Sequence, residues 1–273
     1  MAAPRLRKLL ILKPPAERIS TRSFLVINII SALSGRKYTL KKDLPDHSQY
    51  RVRRHGRVYE VIPIHSVTPS KSEGEKSARG KIKGMSPASF GRMICNLSRV
   101  ERFDGFITLT YPGKWREAAK TPRASKKALS NFHFKLRSRF PNITGGIWIL
   151  EFQKRGAPHY HIWTIHKDPK LNQSEDIDRF VKDQWQRHSG GKVSNFEPCR
   201  APDAAARYAA KEGGKRFQKD PPVDWDPGRF WGVFGEVPFR SIEEIGIFSI
   251  FDLPDYISTN EKGVPYRTNW NES

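Results

Sequence analysis

From Gly146 to Ile165 the chain writes two nearly apolar β runs around a five-residue turn, a pattern that constrains the fold more than any other part of the sequence. The first run, Ile147-Trp148-Ile149-Leu150-Glu151-Phe152, is polar only at Glu151, so it reads as a strand near the middle of its sheet. Lys154-Arg155-Gly156-Ala157-Pro158 turns the chain, and His159-Tyr160-His161-Ile162-Trp163-Thr164-Ile165 returns beside it. An earlier β-rich run, Phe106 to Tyr111, stops at Pro112-Gly113 and supplies a third strand. Leu129, Phe132, Leu136 and Phe140 recur at helical spacing until Pro141. A second helix is expected from a Ser174 cap, with Ile177, Phe180, Val181 and Trp185 inward and Gly190 beyond its end. A third runs from Pro202-Asp203 to Glu212 and stops at Gly213-Gly214. This order predicts an α+β fold, a central antiparallel sheet flanked by helices.

The hairpin also carries the densest chemistry. Residues i and i+2 of a strand share a face, so His159, His161 and Trp163 point one way. If residues 154–158 form the loop, Gln153 pairs with His159 and Glu151 with His161, which sets a carboxylate beside two imidazoles. A register one residue off would send Glu151 to the other face, and Gln153 is the alternative ligand. Two imidazoles and a carboxylate with open positions suit a divalent cation that also binds substrate oxygens: Mg²⁺ or Mn²⁺ in a cell, with Zn²⁺ a substitute in vitro. Trp148, Phe152 and Trp163 could stack on bases, although alternation assigns most of them to the core.

Charge names the partner. Forty-nine Lys and Arg against 28 Asp and Glu leave +21, more than solubility requires. Residues 1–100 hold 21 basic and 6 acidic residues, 21 − 6 = +15, and the remainder 28 − 22 = +6. No basic helix has a clean apolar face for a membrane surface, so nucleic acid is the expected polyanion. The run Phe24 to Leu33 is interrupted by Asn28 and Ser31 and falls short of the ~20 residues of a membrane span; no targeting segment is expected. Two cysteines, Cys95 and Cys199, make neither a disulfide framework nor a four-thiolate zinc site, and a reducing cytoplasm is the expected location. No phosphate-binding GxxxxGK[ST] loop occurs, which argues against a nucleotide-driven motor.

The sequence divides into a basic region at 1–100, a balanced unit at 101–240 and a tail at 241–273. Within the first, Tyr50 to Ile64 alternates as a hairpin turning at His55-Gly56, and the Ser-, Gly-, Lys- and Pro-rich stretch 66–88 reads as a flexible linker or loop. On the third helix, Tyr208 and Lys211 share a face among alanines, which leaves the phenol accessible. A phenol near pKa ~10 is a poor nucleophile until a neighbouring cation favours its phenolate, and Lys211 is spaced to supply one. Arg155, Arg207 and Lys215 are candidate DNA-phosphate contacts.

The segments FITLTYP, ILEFQKRGAPHYHIW and RYAAKEGGK, in that order, together with the later RFWGVFG, resemble the motifs of HUH endonucleases, specifically the rolling-circle replication initiator (Rep) proteins of phages and plasmids. The resemblance covers residues 103–235. It implies an RNA-recognition-like antiparallel sheet, an HUH segment of His159, Tyr160 and His161, Glu151 as third metal ligand, and Tyr208 as nucleophile in a YxxK helix with Lys211. The implied activity is nicking and rejoining of single-stranded origin DNA through a 5′-phosphotyrosine, in a prokaryotic host whose helicase and polymerase would do the remainder. Some initiators carry two tyrosines one turn apart; here Ala204, Ala205 and Glu212 flank Tyr208, so termination calls for a second subunit or another nucleophile. A transposase or relaxase would use the same residues, whereas a noncatalytic nucleic-acid-binding protein would form no covalent adduct with single-stranded DNA.

Overall fold

The computed structural model describes residues 8–11, 49–56, 58–64, 82, 84–169, 173–191, 193–199 and 220–249. In chain order its elements are β1 (Lys8–Ile11), β2 (Gln49–His55), β3 (Val58–Ile64), α1 (Pro87–Arg99), β4 (Gly105–Thr110), α2 (Trp115–Ala118), α3 (Pro122–Arg139), β5 (Ile143–Phe152), β6 (Pro158–His166), α4 (Ser174–Ser189), β7 (Ser194–Pro198), β8 (Trp231–Gly235) and β9 (Glu243–Ser249). The fold is α+β with antiparallel sheets, as the sequence predicts, but the described residues form two such sheets where the sequence suggested one. No helix among the described residues is long and apolar enough to cross a membrane.

The chain divides into two units, 1–78 with 86–99 and 239–273, and 79–85 with 100–238. The first holds a four-stranded sheet in the order β1-β3-β2-β9 and helix α1. β2 and β3 form the expected hairpin, turning at Gly56. Within the stretch expected as a tail, β9 pairs along β2. An unpaired strand edge offers a row of backbone donors and acceptors, and the register sets Arg53 opposite Glu244 and Arg54 opposite Glu243, with Arg53 Nε 2.5 Å from Glu244 Oε1. Of the expected linker, 66–81 lies outside the described residues, and at its far end Pro87 opens α1.

The second unit is built on a five-stranded sheet in the order β7-β4-β6-β5-β8. β5 is interior, between β6 and β8, because its apolar run needs cover on both faces. One face packs on α3 and α4: Ile107, Leu109, Leu150, Tyr160 and Ile162 meet Leu129, Phe132, Leu136, Ile177, Val181 and Trp185. Each such aliphatic or Phe side chain stabilises the unit by about 1.5–3 kcal/mol through burial. α3 starts at Pro122, seven residues before the first apolar marker, because the Thr121 hydroxyl accepts from the Ala124 N–H at 3.1 Å and Pro122 fits the first turn. The Ser174 cap is corrected. Ser174 is the first helical residue of α4, since the Ile177 N–H already bonds the Gln173 carbonyl at 2.9 Å, and Gln173 takes the cap position without a side-chain bond. Gly190 ends α4 in the left-handed conformation. The expected helix at 202–212 lies outside the described residues.

His133 sits on α3, 7 % exposed, with its ring flat against Phe234 at 3.9 Å. Burial pushes its pKa down from 6.5 to about 3. Between those two values the unfolded chain binds a proton that the folded state refuses, so this contribution is intact above pH 6.5 and is lost as pH falls, by about 1.4 kcal/mol per pH unit. His133→Phe keeps the ring stack and removes the titrating group. Urea unfolding at a series of pH values from 6 to 4 is expected to show a stability that declines less steeply than wild type by one proton's slope.

Candidate active site

The face of the second sheet opposite α3 and α4 gathers the titratable groups. Antiparallel pairing places Thr110 opposite His159, Thr108 opposite His161 and Phe106 opposite Trp163 on the β4 side. On the β5 side Glu151 lies opposite His159, Ile149 opposite His161 and Ile147 opposite Trp163. Directly opposed residues share a face, so Glu151, His159 and His161 come together.

The register differs from the expected one by two residues. Gln153 leaves the ladder: its N–H bonds the Ala157 carbonyl at 3.0 Å and its own carbonyl accepts from the Gly156 N–H at 2.7 Å, so the turn comprises residues 153–157 and pairing resumes at Phe152–Pro158. Because the side-chain period of a strand is two, this shift preserves the face of Glu151. The carboxylate reaches His161 diagonally, Glu151 Oε2 to His161 Nε2 at 3.6 Å, and the rings of His159 and His161 stand 4.4 Å apart and nearly perpendicular.

Each of these side chains is held in place. Glu151 and His161 are 5 % and 7 % exposed. The His161 ring stacks on Phe106, 5.3 Å between centroids and 8° between planes. His159 Nδ1 lies 3.0 Å from Thr110 Oγ1. In the tautomer whose Nδ1–H donates to that hydroxyl, Nε2 keeps its lone pair for a metal ion. Thr110 is itself fixed by its backbone: the Trp185 indole N–H donates to its carbonyl at 3.0 Å, and Gly191 packs so closely that a Cβ there would lie 2.2 Å from the same oxygen. Burial above all, then the neighbouring His161, pushes the pKa of His159 down to about 4, against a smaller opposing pull from Glu151. At neutral pH His159 is therefore uncharged and able to donate a lone pair. A carboxylate and two imidazoles, one held by a hydrogen bond to its far nitrogen, are donor types that divalent cations take.

Gln153, the alternative ligand, is otherwise engaged: its Oε1 accepts from Arg155 Nε at 2.9 Å. Arg155 in turn donates both terminal nitrogens to the carbonyls of Tyr111 and Pro112. Its guanidinium thus ties the β5–β6 turn to the end of β4, a role the sequence did not suggest for a candidate DNA contact. Phe152 and Trp163 are 2 % and 1 % exposed, in keeping with the core reading; Trp148 packs partly buried, with the Lys126 ammonium 4.0 Å above its ring. Tyr160 faces the helices instead, with no exposure, and burial raises its pKa further; Tyr111 is raised to about 12 by the same cause. Tyr208, Lys211, Arg207 and Lys215 lie outside the described residues.

A further donor group escaped the sequence reading. In the first unit one potential ligand atom from each of His55, Glu60 and Cys95, all buried, lies within 4.8 Å of the others, close enough for three donors to share one ion. The signal was present as a Glu on an alternating strand two positions from Val58, but a helix distant in sequence supplies the cysteine.

Residues 104–217, less than half of the 273-residue chain, match a family model of replication-associated proteins of the ORF2 type, and no curated protein matches the chain. The matched stretch contains β4, β5 and β6.

Beneath the His159-Tyr160-His161 stretch, the Tyr111 hydroxyl donates to Ser125 Oγ at 3.3 Å and Ser125 Oγ is 2.7 Å from the Tyr160 hydroxyl, all three buried. Ser125→Ala is expected to cost about 1–3 kcal/mol by stranding buried phenols. Adding Tyr160→Phe should cost less than the sum of the two single changes, measured as a double-mutant cycle by urea unfolding.

Proposed function

We propose that this chain is a rolling-circle replication initiator, a metal-dependent endonuclease that nicks and rejoins single-stranded origin DNA through a tyrosine. The observation that carries the reading is the gathering of Glu151, His159 and His161 on one sheet face by the β5–β6 register. The replication-associated family match over the same strands supports it, and so does the basic charge.

Glu151, His159 and His161 would hold Mg²⁺ or Mn²⁺, which when bound supplies Lewis-acid polarisation of a phosphoryl oxygen and neutralises developing charge. Thr110 keeps the His159 ring turned toward the site, and burial keeps that ring neutral. The Tyr208 oxygen attacks the scissile phosphorus; the bond from phosphorus to O3′ breaks, a 5′-phosphotyrosine forms, and the phenol's proton balances the 3′-hydroxyl that leaves. Lys211, three residues on, stabilises the phenolate. The phosphotyrosine retains the energy of the broken bond, so the reverse attack by a 3′-hydroxyl rejoins DNA without ATP. That hydroxyl primes synthesis by a host polymerase, behind a host helicase. With no second tyrosine near Tyr208 in the sequence, a second subunit would supply the nucleophile of the closing cleavage.

The test is a detergent-stable adduct between the chain and single-stranded oligonucleotides in Mn²⁺. Tyr208→Phe is expected to bind oligonucleotide as wild type does and to form no adduct, and peptide mapping should find wild-type DNA on Tyr208. His159→Ala or His161→Ala should abolish cleavage and leave binding largely intact, because phosphate contacts supply the affinity. Thr110→Val should slow adduct formation about 10–100-fold by freeing the His159 ring. Cleavage at wild-type rate by His161→Ala in EDTA, or DNA joined elsewhere than Tyr208, overturns the assignment.

A further inference from the structure

The β2–β3 hairpin pairs His55 with Val58, which puts Glu60, two residues on, on the same face as His55. Helix α1 lies against this hairpin. Its Met93, Ile94 and Leu97 are buried, and the Ser98 carbonyl sits where a Cβ on Gly56 would come within 2.0 Å of it. Gly56, at φ +61°, is thus required both by the turn and by the helix above it. One helical turn before Ser98, Cys95 is 7 % exposed. His55 Nε2 and Glu60 Oε2 are 3.1 Å apart, their side chains 6 % and 3 % exposed, and His55 Nδ1 is buried without a hydrogen-bond partner among the described residues.

A carboxylate, an imidazole and a thiol thus converge at one buried point of the first unit, their ligand atoms within 4.8 Å of one another. A shared divalent cation would take a lone pair from each. Tetrahedral Zn²⁺ with bonds near ~2.0 Å separates its nitrogen and oxygen ligands by about 3.3 Å, close to the His55–Glu60 spacing. A thiolate and a carboxylate also cancel the charge of the ion, so the assembly enters the apolar interior neutral.

We propose that His55, Glu60 and Cys95 form a structural Zn²⁺ site that clamps α1 to the β2–β3 hairpin, separate from the oxygen- and imidazole-rich site on the second sheet. On binding, Cys95 loses its thiol proton to solvent, Glu60 binds as carboxylate and His55 as neutral imidazole. A water or another donor completes the fourth position. The thiolate selects Zn²⁺ over Mg²⁺ and Mn²⁺, which prefer oxygen.

The experiment titrates Co²⁺, then Zn²⁺, into the intact metal-free chain. Wild type is expected to show a thiolate-to-cobalt charge-transfer band that Zn²⁺ displaces, and a melting temperature raised by Zn²⁺. With two cysteines in the chain, Cys199→Ser should keep the band and Cys95→Ser should lose both the band and the Zn²⁺-dependent stabilisation. The double variant His159→Ala, His161→Ala should keep both, which separates this site from the proposed nuclease centre. Absence of the band in wild type overturns the proposal even if Cys95→Ser fails to fold. So does a band that survives in Cys95→Ser, or one that is lost in Cys199→Ser or in the histidine double variant.

Discussion

The pairing of β5 with β6 governs the second unit. It brings a carboxylate from one strand against two imidazoles of the next, and because strand side chains alternate with period two, the same ladder sends Leu150, Phe152, Tyr160 and Ile162 into the core beneath α3 and α4. A slip of a single residue in β5 would turn Glu151 toward Leu129, Phe132 and Trp185 and take Leu150 and Phe152 out of the core beneath α3 and α4. Register is therefore set by hydrophobic burial, and the chemistry of the opposite face is carried along with it.

Around that ladder the molecule fixes these side chains from behind. The Thr110 carbonyl receives the Trp185 indole N–H, and Gly191 packs against it; the Thr110 hydroxyl then holds His159. Arg155, bonded to Gln153 and to the carbonyls of Tyr111 and Pro112, joins the turn of the hairpin to the end of β4. Burial withholds the proton from His159 at neutral pH. The orientation and protonation of His159 are thus settled by the fold itself, through a hydrogen bond and burial.

The first unit applies different chemistry to a similar problem. Its sheet is completed by a strand from the far end of the sequence, β9, whose glutamates meet the arginines of β2. Exposed pairs of this kind contribute little stability. The buried His55 and Glu60, 3.1 Å apart and joined by Cys95 of α1, are a stronger constraint, because a buried polar pair loses more when one partner is removed than an exposed pair does.

How much was legible in the sequence follows from which interactions are local. Strand alternation, the apolar run of β5, the helical spacing from Leu129 to Phe140 and the Gly56 and Gly190 stops could all be read, since each depends on backbone sterics or on burying one face. The shared face of His159 and His161 was equally fixed by period two. The exact partner of Glu151 was not, because the turn length depends on hydrogen bonds that Gln153 makes with Ala157 and Gly156, and these compete with one more ladder pair. The clamp on Thr110 and the pairing of β9 with β2 join residues 75 and some 190 positions apart, and Cys95 meets His55 through a helix packed on a hairpin. Sequence alone determined which residues could share a face; only tertiary packing decided which faces meet, since contacts between distant segments are selected by the burial of the whole and leave no periodic trace in either segment.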